Sequence, residues 1–165
     1  MFLKISISFT HPKLKQRSIQ SQFFELKGYY DGNNKNITWL TIHLPTDNIG
    51  LFGYLFPDSK VHNLNILGAK VIGNNYVGGV AGYVWGATVE NCVVTGNISG
   101  AARVGGIVGS GSSYMMSKSY STGNVHGDGD NVFLFTIEKR EIVAIAPIVS
   151  RNGYTFAAGI RYLIT

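Results

Sequence analysis

Along most of the chain, short apolar runs alternate with Gly, Asn, Ser and Thr. Val61-His62-Asn63-Leu64-Asn65-Ile66-Leu67-Gly68 and Val89–Gly96 are short apolar runs set between Gly and Asn turns, strand-like in length and composition. No segment holds a helical period for more than two turns. Met1–Thr10 alternates Ile5, Ile7 and Phe9 with Ser6, Ser8 and Thr10 and is interrupted by Lys4, so it reads as extended chain and not as a signal peptide. Toward the other end, Val132–Ile137 and Ile142–Val149 predict strands. Asn152-Gly153 then leads into Tyr154, Phe156, Ala158, Ile160, Tyr162 and Ile164 at alternate positions, a hairpin signal because both turn residues tolerate positive φ.

The middle of the chain repeats itself. Ile49-Gly50-Leu51-Phe52-Gly53-Tyr54 returns as Val77-Gly78-Gly79-Val80-Ala81-Gly82-Tyr83 and again as Val104-Gly105-Gly106-Ile107-Val108-Gly109, the leading aliphatic recurring after 28 and then 27 positions. A second motif keeps the same spacing: Val61–Gly68 matches Val89–Gly96, and Val93–Ile98 matches Tyr120–Val125. A unit of this length, built from short β-prone runs and Gly/Asn turns, fits one coil of a parallel β-solenoid. Successive coils then stack about 4.8 Å apart, so like residues fall on like residues. The expectation is an all-β, right-handed parallel β-solenoid (β-helix) of about three to four coils with a C-terminal β hairpin or cap.

These blocks resemble the GLUG repeat, named for a Gly-Leu-hydrophobic-Gly core. Gly50-Leu51-Phe52-Gly53 fits the core directly, Gly106-Ile107-Val108-Gly109 fits with Ile for Leu, and Gly79-Val80-Ala81-Gly82 is looser. Phe24–Asn33 through Ile37–Ile42 is similar to the Phe-x-Gly-x-Phe-Asp-Gly-Asn lead-in that often precedes such repeats. The resemblance spans roughly residues 24–127. It implies a solenoid within large bacterial surface proteins, adhesins of the filamentous-haemagglutinin type, or the non-catalytic parts of surface peptidases. It implies no catalysis.

Composition sharpens this picture. Charged residues make up 14% of the 165, hydrophobic ones 45%, and Gly numbers 21. That combination excludes a coiled coil, a helical bundle or a disordered tail as the main structure. The net charge of +5 sits chiefly in the first 35 residues, at Lys13, Lys15, Arg17 and Lys27, leaving the repeat body near neutral. A nucleic-acid binder usually carries a basic stripe along its folded body, so no nucleic-acid partner is expected. One cysteine, Cys92, excludes an intrachain disulfide and a Cys-based zinc cluster. No apolar run reaches the roughly 18 residues of a membrane helix.

Candidate chemistry is sparse. Asp31, Asp47, Asp58 and Glu90 share no register that pairs two carboxylates on one face, as glycoside hydrolysis requires. His62 and Glu90 lie one repeat apart and are expected to stack on adjacent coils as a surface ion pair without a nucleophile beside them. The other histidines, His11, His43 and His126, share no metal-ligand spacing. Asp31-Gly32-Asn33-Asn34 and Gly127-Asp128-Gly129-Asp130-Asn131 have a calcium-loop flavour but lack a full oxygen set, so turns are expected. Asn36-Ile37-Thr38 and Asn97-Ile98-Ser99 match the N-glycosylation pattern. Cys92 is expected opposite Leu64 as a small core residue, and Asn75 as an exposed turn residue. Tyr29, Tyr30, Trp39, Tyr54, Tyr76, Tyr83 and Trp85 are packing aromatics or a sugar-stacking platform.

The chain is therefore divided into a basic N-terminal extension (1–23), a repeat solenoid (24–131) and C-terminal strands (132–165) that fit a cap or a fragment of a neighbouring segment. The repeat positions Gly50, Gly53, Gly78, Gly82, Gly105 and Gly109, with Asn63 and Asn91 as a two-rung amide ladder, are structural. No catalytic residue, metal or cofactor is expected. The functional expectation is a non-enzymatic structural and adhesive segment at the cell surface or outside the cell, within a longer repeat-bearing parent. Its partners would be glycans or host or matrix proteins. The alternatives are a fragment of a carbohydrate-active β-helix enzyme and a stalk beside a surface peptidase.

Overall fold

The computed structural model describes residues 25–128 in full, together with the backbone of Ser6–Phe9, Val132–Phe133, Ile142–Val143, Val149–Arg151, Tyr154–Phe156 and Arg161–Tyr162. The chain winds through four coils that begin at Glu25, Phe52, Ala81 and Val108, making three faces of parallel strands. The long face stacks Tyr29–His43, Lys60–Ile72, Thr88–Gly100 and Tyr120–Gly127, with Met115–Ser117 beside the third of these. A second face stacks Glu25–Leu26, Phe52–Leu55, Ala81–Trp85 and Val108–Ser112. The third stacks Asn75–Gly78, Ala102–Gly105 and Val132–Phe133, extended at the first coil by a bridge from Ile49 to Val77. The fold is an all-β solenoid. Among the described residues no helix is long and apolar enough to cross a membrane.

The core follows from the stacking. Val61 lies on Val89, Leu64 on Cys92, Ile66 on Val94, and Val71 on Ile98, which in turn lies on Val125. Each of these is at most 2% exposed. Branched aliphatics suit the pleat, and each full burial contributes about 1.5–3 kcal/mol. The filling thins in the last coil, where Ser119 and Ser121 follow Cys92 and Val94 in register. Ser119 Oγ donates to the Ser117 carbonyl and accepts the Cys92 N–H. Ser121 Oγ is buried with no hydrogen-bond partner among the described residues.

Strict alternation fails along the long face because left-handed residues break it. In the second coil Val61, Leu64, Ile66, Ala69 and Val71 all face inward. The two longer steps contain Asn63 (φ 54°) and Gly68 (φ 69°). The first break recurs at Asn91 (51°) and Lys118 (48°) and the second at Trp39 (58°), whereas the third and fourth coils lack that position and carry Gly96 (126°) and Gly123 (120°) in register with Ala69. Two corners use the same device: Asn48, Tyr76 and Arg103 (57°, 57°, 53°) lead into the third face, and Asp58, Gly86 and Ser113 (65°, 60°, 53°) lead into the long face. A residue with a Cβ gives up about 1–2 kcal/mol in this conformation. Stacking the turns in register lets backbone bonds between coils offset that cost.

The change of period from 28 to 27 also has a location. Ile66 pairs with Val94 but Ala69 with Gly96, so the second coil holds one extra residue between them.

Both edges of the long face carry a further strand. Ser6–Phe9 runs antiparallel to Tyr29–His43. Val149–Arg151 pairs with Val125 and His126 and runs antiparallel to Tyr154–Phe156, the strand pairing expected from the sequence, while the Asn152-Gly153 turn expected between them lies outside the described residues. Of the other C-terminal strands expected, residues 134–137, 144–148, 157–160 and 163–164 lie outside the described residues.

Candidate functional site

The recurrent glycine blocks form the corner between the third and second faces. There the backbone bonds run from coil to coil: Leu51 N–H to the Gly79 carbonyl at 3.2 Å, Phe52 to Val80 at 2.9 Å, Gly79 to Gly106 at 3.2 Å and Val80 to Ile107 at 2.9 Å. Close backbone approach explains the glycines. A Cβ on Gly82 would sit inside the Asn48–Ile49 backbone, and one on Gly109 inside the Tyr76–Val77 backbone. Gly50 and Gly78 meet backbone in the same way, and Gly53 and Gly105 are buried at the same corner.

Asn63 and Asn91 stand together on the long face. Asn91 Nδ2 donates to Asn63 Oδ1 at 2.8 Å, and Asn63 Nδ2 donates to Asp31 Oδ1 at 3.0 Å. The amide ladder thus has a third, anionic rung in the first coil, where only two rungs were expected. It is also a surface feature, with Asn91 exposed, so its role is not to satisfy a buried corner. Asp31 additionally accepts the Asn33 N–H at 2.8 Å, and its Gly/Asn-rich segment, where a turn was expected, is a bulge within the Tyr29–His43 strand with Asn33 and Asn34 left-handed. These bonds, led by the Asn33 N–H, hold the Asp31 carboxyl below the usual carboxylate range.

His62 and Glu90 are in register, as expected, but they do not form the expected ion pair. Glu90 reaches diagonally instead, to Lys60 Nζ at 2.9 Å on one side and Lys118 Nζ at 3.2 Å on the other. The hydrogen bond from Lys60, then that from Lys118, lowers the Glu90 pKa. His62 Nδ1 lies 2.9 Å from Asn63 Nδ2 and 3.7 Å from Asp31 Oδ1. The physical reason is charge: two ammonium groups attract the carboxylate more strongly than one imidazole. The period signalled neither lysine, because each reaches Glu90 from a different register position.

Asn75 is not a bare turn residue. Its N–H and Nδ2 both donate to Asp47 Oδ1, at 3.0 and 3.1 Å. Cys92 is buried beside Leu64, as expected, and burial pushes its thiol up to about 11. Asn36 Oδ1 accepts from Asn65 Nδ2 at 3.1 Å, and Asn97 is exposed on the same face.

Aromatic side chains form a row on the second face and its corner. Tyr54 stacks on Tyr83 with centroids 5.3 Å apart, and Tyr76 meets Tyr83 edge-on at 5.5 Å. Arg103 lies 5.0 Å over Tyr76 and Lys27 4.4 Å over Phe56. Trp39, Tyr29 and Trp85 stay exposed. Among the described residues no three His, Cys, Asp or Glu side chains converge as metal ligands.

Comparison with known proteins agrees with this geometry. The family model of the GLUG motif matches residues 73–99, which run from the third face of one coil through the corner and along the next long strand. The chain carries this motif. It is also 38% identical over 87 residues, 52% of its length, to halomucin of Haloquadratum walsbyi (strain DSM 16790 / HBSQ001). It spans about 1% of halomucin's length. That relative is archaeal, so it lends no support to a bacterial origin. No solved structure matches the chain significantly.

Proposed function

We propose that this chain is a non-enzymatic structural and adhesive segment of a larger cell-surface or secreted protein. Its stacked coils would present a rigid face to glycans or to host or matrix proteins. The observation that carries the reading is the corner ladder: its regular positions, Gly50, Gly78 and Gly105 with their neighbours, are occupied in making backbone bonds between coils. What the sequence repeats is therefore a building rule and not a reactive constellation. The GLUG match and the similarity to halomucin support a repeat segment of a longer surface chain. The polar side chains gathered on the long face, Asp31, His62, Asn63 and Glu90, bond to one another or to lysines in an open, screened setting.

Two measurements test the reading. Protease shaving of intact cells from the source should release the chain. A broad polysaccharide panel should be left uncleaved, with the double change His62→Ala and Glu90→Ala altering stability alone. Retention inside the cell would overturn the surface assignment. Turnover lost in the double variant would favour the carbohydrate-active enzyme.

A further inference from the structure

Trp39 is the unusual residue of the long face. Its backbone is left-handed, φ 58°, at a break that the second coil fills with Gly68. The break itself therefore needs no side chain. Because the left-handed turn resets the alternation, Ile37 and Leu40 both point inward while Trp39 points out and is 71% exposed.

The indole is nonetheless firmly seated. A Cβ built on Gly68 would lie 2.8 Å from Cε3, 2.9 Å from Cζ3 and 3.4 Å from Cδ2 of Trp39. Three such similar distances mean that the six-membered ring lies face-on over Gly68; an edge-on ring would put Cδ2 much farther away. One ring face rests on the neighbouring coil, and the other is open to solvent. Thr41 Oγ1 donates to the Trp39 carbonyl at 3.3 Å, and Thr41 pairs in register with Lys70. Lys70 is exposed and has no acidic partner among the described residues. Residues 32–46, 59–89 and 91–127 contain no Asp or Glu, so this stretch of the face is cationic.

The geometry points to a carbohydrate-binding site at Trp39, with an acidic sugar as ligand: a pyranose C–H face on the open indole and the sugar carboxylate toward Lys70. Aromatic rings stack on apolar ring faces and Lys attracts the carboxylate. An isolated tryptophan among hydroxyls, amides and an ammonium group suits a polyol better than a protein partner, which needs a contiguous apolar patch. This inference rests on the adhesive reading above and names its ligand class.

Fluorescence titration in a Trp85→Phe background, with polygalacturonate as acidic probe and dextran as neutral control, tests it. Polygalacturonate should perturb the Trp39 emission, and its binding should weaken with added salt. Trp39→Gly installs the residue that the second coil carries at this position and so should keep the urea midpoint, while binding, read by calorimetry, falls about tenfold or more. Trp39→Phe should retain part of the affinity, and Lys70→Gln should reduce the preference for polygalacturonate over dextran. Unchanged affinity in Trp39→Gly would overturn this site and leave an adhesive role standing. Equal binding of dextran would overturn the acidic class, and absence of binding to both probes would overturn the proposal, whereas cell shaving decides surface location independently. Trp39-dependent capture of a protein without glycan would replace the sugar by a protein partner.

Discussion

Asn91 donates a 2.8 Å hydrogen bond from its side-chain amide to that of Asn63, 28 residues earlier, and both residues are left-handed. The ladder and the backbone break are one device: asparagine accepts positive φ more readily than other residues with a Cβ, and its amide bonds to the coil below.

Asn91→Leu loses both features and should cost about 1–3 kcal/mol, through strain and the lost hydrogen bond. Asn91→Gly keeps the backbone conformation and should cost less. Asn97→Ala, an exposed change, should stay within about 0.5 kcal/mol and is a better control than Asn75, which bonds to Asp47. Urea midpoints of the three variants decide it. Equal midpoints for Leu and Gly at position 91 would remove strain from the account.

Acid should weaken the fold through Asp31 and Glu90. Both carboxyls are held below their ordinary values in the folded state, by the Asn33 N–H first for Asp31 and by Lys60 first for Glu90. Their contribution is fully present above the unfolded carboxylate pKa of about 4, and is lost as pH falls through the lowered values. The urea midpoint should hold between neutrality and about pH 5 and then decline. Glu90→Gln should make that decline shallower, as a pH series on both proteins would reveal.

Alkali should act through Cys92. Its folded pKa of about 11 lies above that of the unfolded thiol, so the unfolded state releases its proton first. Stability should therefore fall between about pH 8.5 and the folded value. Native protein should also react slowly with a thiol reagent, at a rate that tracks opening of the coil. Rapid labelling without denaturant would contradict burial.

Gly82→Ala places a Cβ inside the Asn48–Ile49 backbone and should destabilise by about 1–3 kcal/mol or more. Gly28→Ala meets no atom within 4 Å and is strained only by its φ of 118°. Thermal melts should rank Gly82→Ala as the less stable of the two.

Truncation after Asp128 removes the strand that pairs with Val125 and His126. An uncovered parallel edge recruits other chains, so light scattering should show concentration-dependent association. A truncated chain that remains monomeric and equally stable would show that the tail is not a cap.

The sequence by itself determined the coil. Ile49, Val77 and Val104, and Val61 with Val89, recur because parallel stacking puts equivalent residues one strand spacing apart, and a buried ladder of branched aliphatics has to repeat at that spacing. Even the shift from 28 to 27 was legible there, although its cause, one extra residue between Ile66 and Ala69, was not. Only the tertiary structure decided the surface. Glu90 chose Lys60 and Lys118 over the His62 that the register set opposite it, and Asp31 became a third rung although it lies 32 residues before Asn63. Tyr76, Arg103, Lys118 and Trp39 took left-handed conformations that composition assigns to Gly or Asn. A period records which residues share a height in the stack. Diagonal side-chain reach and the angle of each corner depend on how the closed coils sit on one another.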